Sequence, residues 1–182
     1  TNAFRNPIRS ARRRVIPVWD YVIATEPLTP DQMQSIGWKR RQGLGNNANM
    51  FHYYRLTHDN RIVWGGGVNV AYYYGSRTRG SVADSRKRFE RNASDFFETF
   101  PQLEGIRFSH RWSGLIGSTT RFCMSPGVAF DGRVSWSVGY TGQGVGASRF
   151  GARIGLELLG YDPTEILDLQ FVRRPAMIWP PE

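Results

Sequence analysis

Residues 15–25 read VIPVWDYVIAT, an apolar run rich in β-branched and aromatic side chains, which predicts a strand with Pro17 at its edge. Glu26-Pro27 closes it. Thr29-Pro30-Asp31-Gln32 then predicts a capped helix, short enough to finish near Ile36 and stop at Gly37. Residues 38–50 are polar and rich in Gly and Asn, and predict a loop holding a short strand. FHYYRLT (51–57) and RIVWGGG (61–67) flank His58-Asp59-Asn60 and predict a hairpin. The glycines at 65–67 predict a bulge or the close approach of another group to the backbone. With Ser81 as a cap, Val82, Phe89, Ala93, Phe96, Phe97 and Phe100 recur on one face of a predicted helix over 82–100. Arg86, Lys87, Glu90 and Arg91 fall opposite, and Pro101 ends the helix. Residues 106–116 alternate as a strand. Two further strand runs, 120–124 and 127–138, carry the turn signal Asp131-Gly132. VSWSVGY (134–140) enters a glycine-rich turn, then an apolar helix through Ile154, Leu158 and Leu159 to Gly160. In the tail, Pro163 opens a short helical turn.

The order is strands, helix, strands, helix, with most neighbouring strands joined by short turns. That predicts an α+β fold: a mixed, mostly antiparallel sheet with helices packed on one side. At 182 residues the chain holds one domain or a little more, and 40% hydrophobic residues supply a core.

The net charge of +9 raises the question of a polyanion partner. The densest run is Arg9, Arg12, Arg13 and Arg14, while later basic residues are interspersed with Asp and Glu. No groove-reading motif accompanies them, so nucleic acid is disfavoured; a basic stand-alone binding module for a polyanion or a partner protein is the alternative reading. No apolar run approaches the ~18–20 residues that cross a bilayer. A single cysteine, Cys123, excludes a disulfide scaffold and points to a cytoplasmic protein. His52, His58 and His110 lack metal-ligand spacing.

The strand–turn–helix at 134–159 carries the strongest chemical signal. A helix N-terminus offers unpaired N–H groups and partial positive charge, and glycines at 142, 144 and 146 let a ligand near the backbone; both suit an anion. The sequence matches neither the GxxxxGK[ST] phosphate loop nor a dinucleotide fingerprint placed early in a βαβ unit. An ordinary corner packed through glycine fits equally well.

Five short segments, in order, resemble the D-amino-acid-oxidase superfamily of FAD-dependent oxidoreductases, nearest its gamma-glutamylputrescine, glycine and sarcosine oxidase-like members. They are Thr1-Asn2-Ala3; Pro17–Tyr21 with Ala24–Leu28; Tyr54–Thr57 with Arg61–Gly66; Phe100-Pro101 before His110–Gly114; and Gly139–Val145, similar to the family's G-Y-S-G-H-G turn at the flavin pyrimidine edge. The resemblance implies a substrate-binding domain over residues 1–136. Residues 137–182 would then be a returning segment of the flavin domain with a C-terminal tail. It implies oxidation of an amine or amino-acid C–N bond to an imine, with dioxygen reoxidising FAD. Trp112, Gly114, Gly139, Tyr140, Thr141, Gly142, Gln143, Gly144 and Val145 would touch the cofactor, the backbone N–H groups of Thr141 to Val145 stabilising its reduced charge. Tyr53, Tyr54 and Trp64 are candidates for the substrate pocket. The family's dinucleotide fingerprint precedes all of these segments and is absent here. The chain, which opens without Met, therefore reads as part of a longer protein whose N-terminal FAD-binding segment is a missing partner. By itself it is expected to be inactive and to hold FAD weakly. An apolar patch along 139–159 should face that segment, or be covered in a homo-oligomer.

Three departures shape the substrate expectation. Gly114-Leu115-Ile116-Gly117 stands where related amino-acid oxidases have an Arg that grips the carboxylate. Gly146, and Val63 or Trp64, stand where sarcosine oxidases place lysines. An amine or a larger amine conjugate fits these positions better than a free α-amino acid. Cys123 lies past the position of covalent attachment, so the flavin is expected to be non-covalent.

Overall fold

The structure is a computed structural model that describes residues 2–75 and 77–180. Thr1, which opens the first family-like segment, lies outside the described residues. In chain order the helices are α1 (Arg9–Arg12), α2 (Pro30–Ile36), α3 (Arg86–Thr99), α4 (Gly144–Leu158) and α5 (Gln170–Arg173). The strands are β1 (Ile16–Thr25), β2 (Leu44–Gly45), β3 (His52–Leu56), β4 (Ile62–Gly66), β5 (Ala71–Tyr72), β6 (Phe108–Ser118), β7 (Ser125–Ala129) and β8 (Val134–Val138). The fold is α+β, as the pattern predicts. The chain divides into two compact units, one of residues 19–71 and 79–114, the other of 1–18, 72–78 and 115–182.

In the 19–114 unit the sheet runs β2-β3-β4-β1, with antiparallel β2–β3, β3–β4 and β4–β1 pairs. Because strand side chains alternate, one face carries Tyr54, Trp64 and Ile23, and the other Tyr53, Gly65, Val22 and Asp20. Trp64, with no exposed surface, centres the first face. It stacks on His52 (4.5 Å) and Tyr54 (4.8 Å) and meets Phe96 of α3 edge-on (5.8 Å). Burying a ring of this size contributes on the order of 4–6 kcal/mol of transfer free energy before entropy is counted. Polar pairs tie α3 to the sheet: Asn92 donates to the Tyr21 carbonyl (2.6 Å) and accepts from Asn69 (2.8 Å), and Asp95 lies 3.2 Å from His52 Nε2.

In the other unit β7 and β8 form an antiparallel hairpin, with Phe130, Asp131 and Gly132 all at positive φ in its turn. Trp136 and Val138 pack with Ala11 on one face. Ser135 and Ser137 face α4, which approaches closely through glycine. A Cβ on Gly151 would lie 2.8 Å from Ser137 Oγ, and one on Gly155 would lie 3.0 Å from Ser135 Oγ.

α2 has the predicted Thr29–Gln32 capping box, and Gly37 ends it in the left-handed region. The structure corrects two boundaries. Residues 81–84 form a 3-10 turn and α3 starts only at Arg86. The Val82 and Ala83 carbonyls accept from Tyr21 Oη and Ser113 Oγ. Residues 120–124 are no strand: Phe122, at φ 55°, turns back so that its N–H reaches the Thr119 carbonyl. Among the described residues no helix is long and apolar enough to cross a membrane.

Candidate functional site

The turn after β8 is assembled from three segments of one unit. Gly139 takes φ 71°, and Thr119 fills the place of its missing side chain, the would-be Cβ lying 2.1 Å from that threonine's Cγ2. Tyr140 then bridges to Ser118 at the end of β6. Thr141 N donates to the Gly117 carbonyl (3.0 Å), and the Thr141 hydroxyl donates to the Gly139 carbonyl (3.0 Å). Across from them Asn2 clamps the same strand: its Oδ1 accepts from Gly117 N (3.0 Å) and its Nδ2 donates to the Leu115 carbonyl (2.6 Å).

Past Thr141 the packing opens. Gly142 adopts φ 84°, a conformation that favours glycine, and a Cβ there, or on Gly146, would touch nothing within 4 Å. α4 follows with Gln143 at its cap and no side-chain bond to its first turn. Of the five N–H groups expected to be available from Thr141 to Val145, Thr141 bonds Gly117 and Gln143 bonds the Tyr140 carbonyl (3.0 Å). Gly142, Gly144 and Val145 remain, joined by Gly146. They converge at a helix start that carries roughly half a positive charge. Such a group of donors stabilises an anion that meets the backbone directly. Val145 is fully exposed and Leu156 is 54% exposed, two apolar side chains of α4 within the stretch expected to carry an apolar patch. A cavity of about 530 Å³ in this unit is lined by Asn2, Ala3, Arg5, Asn6, Arg12 and Val138, next to the start of the turn. Arg5 and Arg12 take part in none of the ion pairs among the described residues, which leaves the cavity wall positive.

The other candidates lie in the 19–114 unit. Trp112, on β6, is 46% exposed, and Gly114 has open space where a Cβ would be. The hairpin separates its three aromatics. Trp64 is fully enclosed by its stacking partners and presents no surface to a ligand. Tyr54 is half-buried between Trp64 and Trp38. Tyr53 lies on the opposite face with its ring across Gly65, to which it is paired, and is 39% exposed. Its hydroxyl donates to Asp20 Oδ2 (2.7 Å), and Asp20 Oδ1 accepts from Gly66 N (3.2 Å). Burial raises the Asp20 carboxyl above its ordinary range, and the bonds from Tyr53, Gly66 and Tyr21 oppose that shift. Burial and the adjoining carboxylate push the Tyr53 phenol well up, so it stays a proton donor. Sequence reasoning did not single out Asp20. The signal was there: a lone carboxylate inside the apolar run VIPVWDYVIAT.

Comparison with known proteins decides the family: residues 1–158 match the model of FAD-dependent oxidoreductases. The chain belongs to that family. Among its curated relatives it is 33% identical over 150 residues to gamma-glutamylputrescine oxidoreductase of Escherichia coli, covering 82% of this chain and 32% of the relative. It is 31% identical over 170 residues to the probable oxidoreductase OrdL of Haemophilus influenzae, covering 91% and 35%. The chain thus spans about a third of the length of these relatives. Glycine oxidase from Bacillus cereus shares the fold with a TM-score of 0.67 at 15% identity, over 95% of this chain and 44% of that one. L-proline dehydrogenase from P. horikoshii does so with 0.63 at 15% identity, over 95% and 43%.

The glycine turn can be tested for its fit to the family's FAD. Gly139, Gly151 and Gly155 are explained by neighbours that fill their missing side chains. Gly142 and Gly146 have no such neighbour and flank the free N–H groups. Free N–H groups beside open glycines are a donor set that suits acceptor oxygens on the edge of such a cofactor.

Proposed function

We propose that this chain is the substrate-domain portion, with the returning turn and helix of the flavin domain, of an FAD-dependent oxidoreductase that oxidises an amine or amino-acid C–N bond to an imine, with dioxygen as the terminal acceptor. Residues 1–136 would form the substrate part and 137–182 the returning segment. The observation that carries this reading is the open, uncapped start of α4 behind Gly142. When bound there, FAD would supply a two-electron acceptor. The N–H groups of Gly142, Gly144, Val145 and Gly146 would hold its pyrimidine edge and favour the negative charge that reduction adds. Trp112 and Gly114 are proposed as further cofactor contacts, and Tyr53 and Tyr54 as substrate contacts. Trp64 would act through these neighbours by fixing the hairpin. The flavin is non-covalent, the protein cytoplasmic, and the adenine dinucleotide half rests on a segment outside these residues. A small-molecule amine is the substrate class. The exposed α4 face would meet that segment or a second copy in a homo-oligomer.

The test is flavin absorbance of this chain beside a version extended upstream to the relatives' length. The expected result is a yellow extended protein, bleached by amines without air, and a chain that holds little flavin alone. If neither takes up FAD, the reading fails. The basic-module alternative draws on Arg5, Arg9, Arg12 and Arg13, none of which is ion-paired among the described residues. It gains if both proteins stay colourless and bind a polyanion instead.

A further inference from the structure

The face of the sheet that carries Tyr53 holds a charge the fold need not have kept. Asp20 is 7% exposed, and a buried carboxylate costs several kcal/mol unless its oxygens are satisfied. They accept from the Tyr53 hydroxyl and the backbone N–H groups of Gly66 and Tyr21. No ion pair among the described residues involves Asp20. The negative charge is therefore held in place by hydrogen bonds, with the field of His52 on β3 favouring it and no ion pair neutralising it directly.

Tyr53 lies between that charge and the surface. Its ring lies over Gly65 so closely that a Cβ there would sit 2.6 Å from the phenol carbon and oxygen. The glycine packing accounts for the ring, but it does not require a hydroxyl. The hydroxyl proton is committed to Asp20, so the pair offers a ligand a half-exposed aromatic face, lone pairs and negative charge, and no proton. Such a group attracts an ammonium through the ring quadrupole and the charge behind it, and repels a carboxylate.

We propose that Tyr53 and Asp20 form an ammonium-recognising corner that selects cationic amines over carboxylates. Tyr53 makes the contact and Asp20 is the positioning residue, holding the phenol and supplying the charge. This rests on the oxidase reading and sharpens it, since it names what the substrate must present.

The test has a binding arm and a kinetic arm. Calorimetry on the 182-residue chain, with hexylammonium and hexanoate as probes, should give at least about tenfold preference for the ammonium. Asp20→Asn should abolish the preference, and Tyr53→Phe should reduce it several-fold. Should Asp20→Asn fail to fold, Tyr53→Leu, at a half-exposed position, carries the same expectation. Equal binding of both probes by the wild type, or variants that keep the preference, would overturn the proposal. In the flavin-loaded extended protein, Asp20→Asn should raise KM for amines about tenfold with kcat within about twofold. A KM that does not move while amines still bleach the flavin sinks the proposal and spares the oxidase reading. A chain that prefers ammonium, in a protein whose flavin no amine bleaches, supports the corner and sinks the oxidase reading.

Discussion

Two glycine-rich stretches, 65–67 and 142–146, look alike as strings of letters and behave differently in the folded chain. At 65–67 the chain itself occupies the space where side chains would be. The Tyr53 ring covers Gly65, the Phe51 carbonyl lies 2.5 Å from the Cβ position of Gly66, and the His52 ring lies 2.1 Å from that of Gly67. At Gly142 and Gly146 nothing stands within 4 Å. A glycine whose missing side chain is replaced by a ring is there for packing. A glycine beside free N–H groups, with nothing above it, leaves room for a group from outside the chain.

The contrast predicts substitutions with opposite signs. Gly67→Ala meets both the His52 ring and a backbone at φ 70°. Left-handed strain and overpacking together should cost about 2–5 kcal/mol, read as a lower melting midpoint. A melt indistinguishable from the wild type would erase the distinction between the stretches. Gly146→Ala sits in the first turn of α4 with open space around it, so stability should rise by up to about 1 kcal/mol. In the extended protein the same methyl should weaken flavin retention. A gain in stability with unchanged flavin affinity would mean that Gly146 faces no cofactor.

The smallest effect concerns pH. The folded Asp20 carboxyl is raised by burial, so the folded chain keeps this proton to higher pH than the unfolded chain. Its contribution to stability is full below the ordinary carboxylate range and is lost as pH rises through the raised value. Melting the wild type and Asp20→Asn from about pH 4 to about pH 7 should therefore show the variant gaining on the wild type as pH rises. A constant difference between the two would contradict a raised Asp20.

Pattern alone located the elements that rest on local chemistry. The β3–β4 hairpin follows from Asp59-Asn60, with Asn60 at φ 62°, and α2 follows from its capping box. The phenylalanine stripe marks the core side of α3. It does not announce Asn92 and Asp95, which share that buried side because their partners come from β1, β3 and the 3-10 turn at 67–69. Residues 120–124 carry a strand-like composition. There the Thr119 hydroxyl bonds to the Cys123 carbonyl (2.6 Å) and accepts from Arg121 N (3.3 Å), and these local bonds outweigh composition. α1 is a single turn within a run of arginines and has no apolar period to reveal it. At the candidate site the Gly139–Val145 turn was legible as a motif. Which of its N–H groups are free was not, because that depends on where Gly117 sits.

Asn2 has a consequence beyond holding the turn. Its carboxamide presents one donor and one acceptor to β6, as a peptide group of a neighbouring strand would. A strand with unmatched amides invites pairing with another molecule's strand, the first step towards amyloid-like stacking. By occupying Leu115 O and Gly117 N, a single side chain takes up two of the β6 groups that such pairing would use.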